Sequence, residues 1–131
     1  MKNAIKSVIA IALLITLVTA YSVRAEENED VKYNKYLLSK VQDDNLGIRT
    51  SAIKLLGERK CEKAVKSLVW TLENDKEYSA RITAALALYK IGDAKVLPVL
   101  KRRAKNDRNK TVRHVLLGVI KEMETTYLAV K

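Results

Sequence analysis

The chain has 131 residues, a length that suits one domain and excludes two of ordinary size. Its net charge of +10 at pH 7 favours an anionic partner or surface. Because it has a single cysteine, Cys61, an internal disulfide is excluded and packing alone must stabilise the fold.

The first 25 residues have the order of a secretory signal peptide. Two lysines lie within residues 1–6, and residues 7–23 carry no charge. Val23 and Ala25 then provide a small-residue cleavage site ahead of Glu26. The alternative is an uncleaved membrane anchor. A spanning helix needs about 20 apolar residues, with roughly 17 as the lower limit, so the uncharged run 7–23 is only just long enough. We expect cleavage after Ala25 and an exported protein, periplasmic or secreted, that meets a membrane only if the segment is uncleaved.

Residues 26–30 are acidic and contain no apolar side chain, which predicts a mobile start to the mature chain. The remaining domain, residues 31–131, is predicted to contain six helices and no strand. Apolar positions at helical spacing place these helices at residues 31–42, 46–57, 63–73, 77–91, 94–105 and 110–124. Asp and Asn residues precede the second, fourth and sixth helices as N-caps, and Gly92 is expected to end the fourth in a left-handed C-cap.

The helical spacing also predicts which side chains face the core. The fourth helix is apolar on most sides, which is typical of a buried helix, and Leu88 is expected in the shared core. The inward positions of the first three helices are Tyr33, Tyr36, Leu37 and Val41, then Ile48, Ala52, Ile53, Leu55 and Leu56, then Val65, Leu68, Val69 and Leu72.

The sequence matches itself on a period of 32 residues. Two columns are polar, with Asp43, Asp75 and Asp107 in one and Arg49, Arg81 and Arg113 in the other. Apolar positions coincide as well, as in the column Ile48, Ala80 and Val112 and the column Leu56, Leu88 and Ile120. A fixed period of this length indicates a stacked array, in which each unit buries its apolar face against its neighbours.

The second repeat carries an Asp-x5-Arg-x2-Ala motif, followed by Ile-Gly-Asp and Val-Leu-Pro; these are Asp75, Arg81, Ala84, Ile91, Gly92, Asp93, Val96, Leu97 and Pro98. The pattern resembles HEAT repeats, specifically the short HEAT-like repeats of phycobilisome lyases, over about residues 31–124. The resemblance implies an all-α, right-handed superhelix, a solenoid whose second helices line the concave side. It also implies that the Asp and Arg columns form a structural ladder at the repeat junctions. The first repeat lacks the proline, because Lys66 aligns with Pro98, and the third has only its first helix.

No motif for catalysis, metal or cofactor accompanies the repeats. Cys61 and the lone histidine, His114, lie 53 residues apart, so a thiol with a neighbouring base is not expected. His114 has no carboxylate or cysteine partner at the spacing that a metal site requires. Glycine-rich phosphate loops and Gly-x-Ser-x-Gly elbows are absent from the sequence. We therefore expect neither an enzyme nor a cofactor, metal or small-molecule substrate.

Helical geometry predicts a binding surface on the second helices. On the third helix, Trp70 points away from the buried stripe together with Lys63 and Lys66. One period later, Lys95, Arg102 and Lys105 take the matching face. We call these six residues the basic–aromatic surface. The alternative is a solvated charged face with a tryptophan partly covered by a neighbouring unit.

Two classes of function remain open. One is an exported, non-enzymatic scaffold for protein–protein interaction in the cell envelope. The other is a binder of anionic polymer or lipid surface through the basic concave face, because residues 101–113 hold seven basic side chains against Asp107 alone. Nucleic acid is not an expected partner, since export removes the protein from the compartment that holds it.

Overall fold

The computed structural model describes residues 1–129, and this part of the chain contains helices and turns but no strand. The α-helices are α1 (Lys2–Lys40), α2 (Leu46–Glu58), α3 (Val65–Asn74), α4 (Tyr78–Ile91), α5 (Leu97–Asn106) and α6 (Lys110–Ala129). Single 3₁₀ turns, Glu62–Ala64 and Ala94–Val96, precede α3 and α5. The predicted all-α class is therefore confirmed, and the main difference is the much longer first helix.

The chain divides into two compact units, residues 1–33 and 34–131. The first unit is the N-terminal part of α1, and it is exposed along its whole length. Helix α1 is long and apolar enough to cross a membrane, a property that signal sequences near an N-terminus share. The helix also includes the exposed acidic residues 26–30. The predicted mobile acidic segment is the N-terminus of a chain cleaved after Ala25, whereas the structure includes residues 1–25. The mobile segment and the signal peptide therefore stay predictions.

The second unit is a two-layer array of helices. Helices α2, α4 and α6 pack on one another in succession, while α3 packs against α4 and α5 against α6. We call α2, α4 and α6 the first helices, and α3 and α5 the second helices, of the repeats. The core between the layers is made of fully buried leucines contributed by every repeat: Leu56, Leu68, Leu72, Leu88, Leu100 and Leu116. The expected burial of Leu88 is confirmed.

Local sequence accounts for where the repeat helices begin and end. The side-chain oxygen of Asn45 accepts hydrogen bonds from the backbone N–H groups of Gly47 and Ile48, which caps α2. Gly92 ends α4 with a φ of +79°, the left-handed conformation predicted for it. Pro98 lies in the first turn of α5, where its missing N–H breaks no helical hydrogen bond.

Some predicted core positions are wrong. Ile48 is 46% exposed, although Ala80 and Val112 in the same column are fully buried. The reason is position in the array: α4 and α6 each pack on a preceding first helix, whereas α2 is the earliest one. Tyr33 and Tyr36 are also exposed, because the buried stripe of α1 begins only at Leu37.

Helix α4 is less enclosed than its composition predicts. Leu86 and Tyr89 are exposed, while Ala84, Ala85 and Leu88 are fully buried. The buried face of α4 carries mostly alanines because the first helices pack closely together. Leu86 and Tyr89, which this close packing does not bury, therefore lie on the outer face of α4.

Candidate functional site

The arginine and aspartate columns meet between consecutive repeats. Nε of Arg49 donates to Oδ2 of Asp75 over 2.7 Å, and Nη2 donates to Oδ1 over 3.2 Å. In the next repeat, Nε and Nη2 of Arg81 donate to the two carboxylate oxygens of Asp107, each over 2.9 Å. Each arginine thus binds, through a two-pronged contact, the aspartate that lies 26 residues later in the chain.

The same arginines also hold the loop in front of their own helix. Nη1 of Arg49 donates to the carbonyl oxygen of Asp43 over 2.8 Å, and Nη1 of Arg81 does the same to Asp75. The third arginine, Arg113, makes this contact with the carbonyl oxygen of Asp107. One guanidinium therefore ties together two successive inter-repeat loops, which gives the column a scaffolding role.

Each aspartate holds the backbone of the residue that precedes the next first helix. Oδ1 accepts the backbone N–H two residues later, over 3.0 Å in Asp43 and 2.9 Å in both Asp75 and Asp107. The side chains of Asp75 and Asp107 are almost fully buried, so an unpaired carboxylate at either position would be costly. These aspartates are therefore occupied by structural contacts.

Electrostatics agree with this geometry at Asp107. Burial by itself would raise the pKa of this carboxyl, but the hydrogen bonds from Arg81, the Asn109 backbone and Arg103 outweigh it and lower the pKa to about 2. In Asp43 the backbone N–H of Asn45 lowers the pKa, against a smaller effect of burial, and Lys40 lowers it further. Both carboxyls are charged at neutral pH.

All six residues of the basic–aromatic surface are exposed. Trp70 is 48% exposed, so no neighbouring unit covers it fully. Lys66 lies on α3 and Lys63 in the 3₁₀ turn before it. Arg102 and Lys105 lie on α5, and Lys95 lies in the 3₁₀ turn before that helix. The sequence therefore placed these side chains on the accessible side of their helices.

The sequence interpretation missed one contact on this surface. Nη2 of Arg102 donates to Oε1 of Glu73, which joins α5 to α3 one turn beyond Trp70. Glu73 lies one 32-residue period before Lys105, so α3 has an acidic residue where α5 has a basic one. This difference in charge was the feature of the sequence that could have predicted the contact. The pair brings the guanidinium of Arg102 to α3 and removes part of the positive charge that the sequence suggested.

The basic stretch 101–113 is also largely engaged within the protein. Lys101 pairs with Glu124, Arg103 pairs with Asp107, and Arg108 donates to the carbonyl oxygen of Lys76. With Arg102 and Arg113 also bonded, Lys105 and Lys110 are the members without an ion pair or side-chain hydrogen bond among the described residues. Much of the excess charge therefore holds helices together.

The remaining candidate side chains are the metal-binding types, Cys61 and His114. Residues 1–129 hold no group of three His, Cys, Asp or Glu side chains able to bind a metal ion. Cys61 is a buried free thiol, and His114 is exposed on α6. A shallow depression between the ends of α2, α4 and α6 is lined by Gly57, Glu58, Lys60, Tyr89, Lys90 and Thr126.

The comparisons agree with the repeat architecture. A family model described as HEAT repeats matches residues 34–121. The chain belongs to the HEAT-repeat family. HEAT repeats generally mediate protein–protein interaction, and the family is typically a non-catalytic scaffold. Comparison with curated proteins gives no match for this HEAT-repeat chain.

Proposed function

We propose that this HEAT-repeat chain is an exported, non-enzymatic scaffold that binds a protein partner through the basic–aromatic surface. The observation that carries the proposal is the half-exposed indole of Trp70 beside exposed cations on two neighbouring second helices. Trp and Arg dominate binding hot spots, so their exposure at equivalent positions of neighbouring repeats favours a binding surface.

The buried ladder supports binding because it fixes the surface in advance. Arg49 and Arg81 bind carboxylates of the next repeat, so the two second helices cannot easily change their spacing. The Glu73–Arg102 pair further restrains the arginine head beside α3. A surface that is ordered before binding loses less conformational entropy when the partner docks.

The charges indicate what the partner presents. Lys63, Lys66, Lys95 and Lys105 are exposed on the same two repeat segments as Trp70 and Arg102, which suits an acidic segment that also offers an apolar side chain to Trp70. A polymer or lipid surface that only supplies negative charge would use the lysines alone. Because most basic groups of residues 101–113 are engaged internally, we favour the protein partner.

Location is part of the proposal and rests on the N-terminal segment. The order of residues 1–25 and the apolar character of α1 support export, with cleavage before Glu26. The N-terminus of the purified protein should read Glu26-Glu27-Asn28 on sequencing. A cytoplasmic protein that still begins at Met1 would contradict this part of the proposal.

The binding site is tested by two substitutions with matched controls. Trp70→Ala and Arg102→Glu should each weaken partner binding by about tenfold or more, as expected of hot-spot residues. Tyr78→Ala removes an aromatic ring of similar exposure on α4, and Lys121→Glu reverses an exposed charge on α6. Neither control should change binding.

The measurement is capture of partner from envelope extract at low and high salt, followed by titration with the isolated partner. Retained binding at high salt supports a protein partner, since screening weakens contacts that depend on surface charge alone. Binding that collapses in salt and ignores Trp70→Ala would favour the anionic polymer or lipid instead. Normal binding by both site variants would show that the site assignment is wrong.

A further inference from the structure

In the described residues, the two ends of the repeat array differ from its interior. Residues 34–40 at the end of α1 join the core of the array, since Leu37 and the following Val41 are buried with its other apolar residues. Asn34 also accepts a hydrogen bond from Nε of Arg59, over 2.6 Å. At the other end, α6 is a first helix with no second helix after it in the described residues. The described helices after α1 are therefore three first helices alternating with two second helices, and the last of them is a first helix.

The polar ladder is open at the same two ends. Arg113 bonds the carbonyl oxygen of Asp107 through Nη1, but Nε and Nη2 have no carboxylate among the described residues. Oδ1 of Asp43 accepts a backbone N–H two residues later, as in the other aspartates, but among the described residues its carboxylate pairs with Lys40, 3.3 Å from Oδ2, and with no arginine. One end thus has an arginine without its aspartate, and the other has an aspartate without its arginine.

Apolar side chains show the same incompleteness. Leu117 on α6 is 59% exposed, whereas Ile53 and Ala85 at the corresponding positions of α2 and α4 are fully buried. On α2, Ile48 is exposed, although its counterparts on α4 and α6 are buried. Inside the array, the neighbouring repeat covers each of these positions. The uncovered residues lie on opposite ends of the stack.

We propose that the two ends bind each other between copies of this chain, head to tail. Helix α6 of one copy packs on α2 and residues 34–40 of the next copy, so that a complete repeat forms across the junction. Arg113 of the first copy donates to the carboxylate of Asp43 in the second, with Leu117 and Ile48 covered in the same contact. The opposite charges and the shared register single out a second copy as the occupant.

Such a contact joins two different surfaces, so it leaves one open end of each kind on every assembly. A junction that continues the stacking of the repeats extends the array and does not close into a dimer. The mass of the assemblies should therefore rise steadily with protein concentration. This inference does not depend on the basic–aromatic surface, which lies on α3 and α5.

The test is the assembly state of the protein, made from its full coding sequence, by sedimentation velocity over a range of concentrations. Asp43→Arg and Arg113→Asp should each raise the dissociation constant of the junction by about tenfold or more, because like charges then meet. Mixing the two variants should restore assembly, since every junction in the mixture again joins an arginine to an aspartate. This rescue by mixing separates a direct contact from damage to either fold.

Two further variants keep the result independent of the charged residues. Leu117→Glu should abolish assembly, while Leu86→Glu places the same charge at an exposed leucine on α4 and should leave assembly unchanged. Circular dichroism melting verifies that each variant is folded. A wild-type protein that stays monomeric at all concentrations, or single variants that assemble normally, would overturn the proposal, as would a mixture that fails to recover.

Discussion

Helices α2 and α4 approach each other closely at Gly57, and this contact gives a sharp prediction. A Cβ atom added at Gly57 would lie 2.6 Å from Cα of Ala87 and 2.8 Å from its Cβ. Ordinary contacts of this kind are 3.4–4 Å, and the atoms met belong to backbone and Cβ, which cannot rotate away. Gly57→Ala therefore forces the two helices apart.

A second glycine provides a matched control for the magnitude. A Cβ atom at Gly118 on α6 would meet nothing within 4 Å. Gly118→Ala should therefore show only the gain in helix propensity, about 1 kcal/mol. In Gly57→Ala the same gain is offset by overpacking, which typically costs about 1–3 kcal/mol. The two variants should thus differ in the free energy of unfolding by about 2 kcal/mol, with Gly57→Ala the less stable.

Thermal unfolding followed by circular dichroism measures this difference. One kcal/mol shifts the midpoint by about 4–8 °C in a domain of 60–100 residues, so a separation of roughly 10 °C is expected. Equal midpoints, or a Gly57→Ala protein that melts above Gly118→Ala, would show that α2 and α4 do not approach as closely as the structure has them.

Three further predictions concern the ladder and the core. Arg81→Ala should lower the free energy of unfolding in urea by about 3 kcal/mol, because the buried carboxylate of Asp107 loses its two hydrogen bonds from Arg81 and keeps those from Arg103 and the Asn109 backbone. An effect as small as that of Arg113→Ala would contradict this. The pKa of Asp107 lies at about 2, below its ordinary 3.8, so its stabilisation is present above pH 4 and is lost as pH falls towards 2. In a pH series of unfolding curves, Asp107→Asn should reduce the loss of stability between pH 4 and pH 2, by about 2 kcal/mol at most. Leu88→Ala should cost about 2–5 kcal/mol, whereas the exposed Leu86→Ala should cost well under 1 kcal/mol, and similar losses would refute the core assignment.

Repetition explains why the fold could be predicted from sequence. The same apolar columns recur in each unit, so errors at single positions do not hide the pattern, and the HEAT-repeat match covers the predicted array. The positions that failed are at its edge, apart from Leu86 and Tyr89 on the outer face of α4. Ile48 sits in a column that is buried elsewhere, and its exposure depends on which helix precedes α2, which the column itself does not record.

The candidate site was harder to predict because it depends on spacing between helices. The period placed Trp70 and Arg102 at equivalent positions on α3 and α5, and both are exposed. The pairing of Arg102 with Glu73 depends on how far apart the second helices lie, which no periodicity fixes. The engagement of Lys101 by Glu124 likewise depends on the packing of α5 against α6. A count of charges therefore overstated how basic the surface is.

The central claim is that a protein partner docks on the second helices, and site-specific photo-crosslinking in living cells tests it most directly. A photoreactive residue at Lys66, one turn from Trp70, should give a discrete protein adduct that disappears when Trp70→Ala is added. The same probe at Tyr78, exposed on α4, should give none. The absence of an adduct at position 66, or an equal adduct at position 78, would contradict the proposed surface.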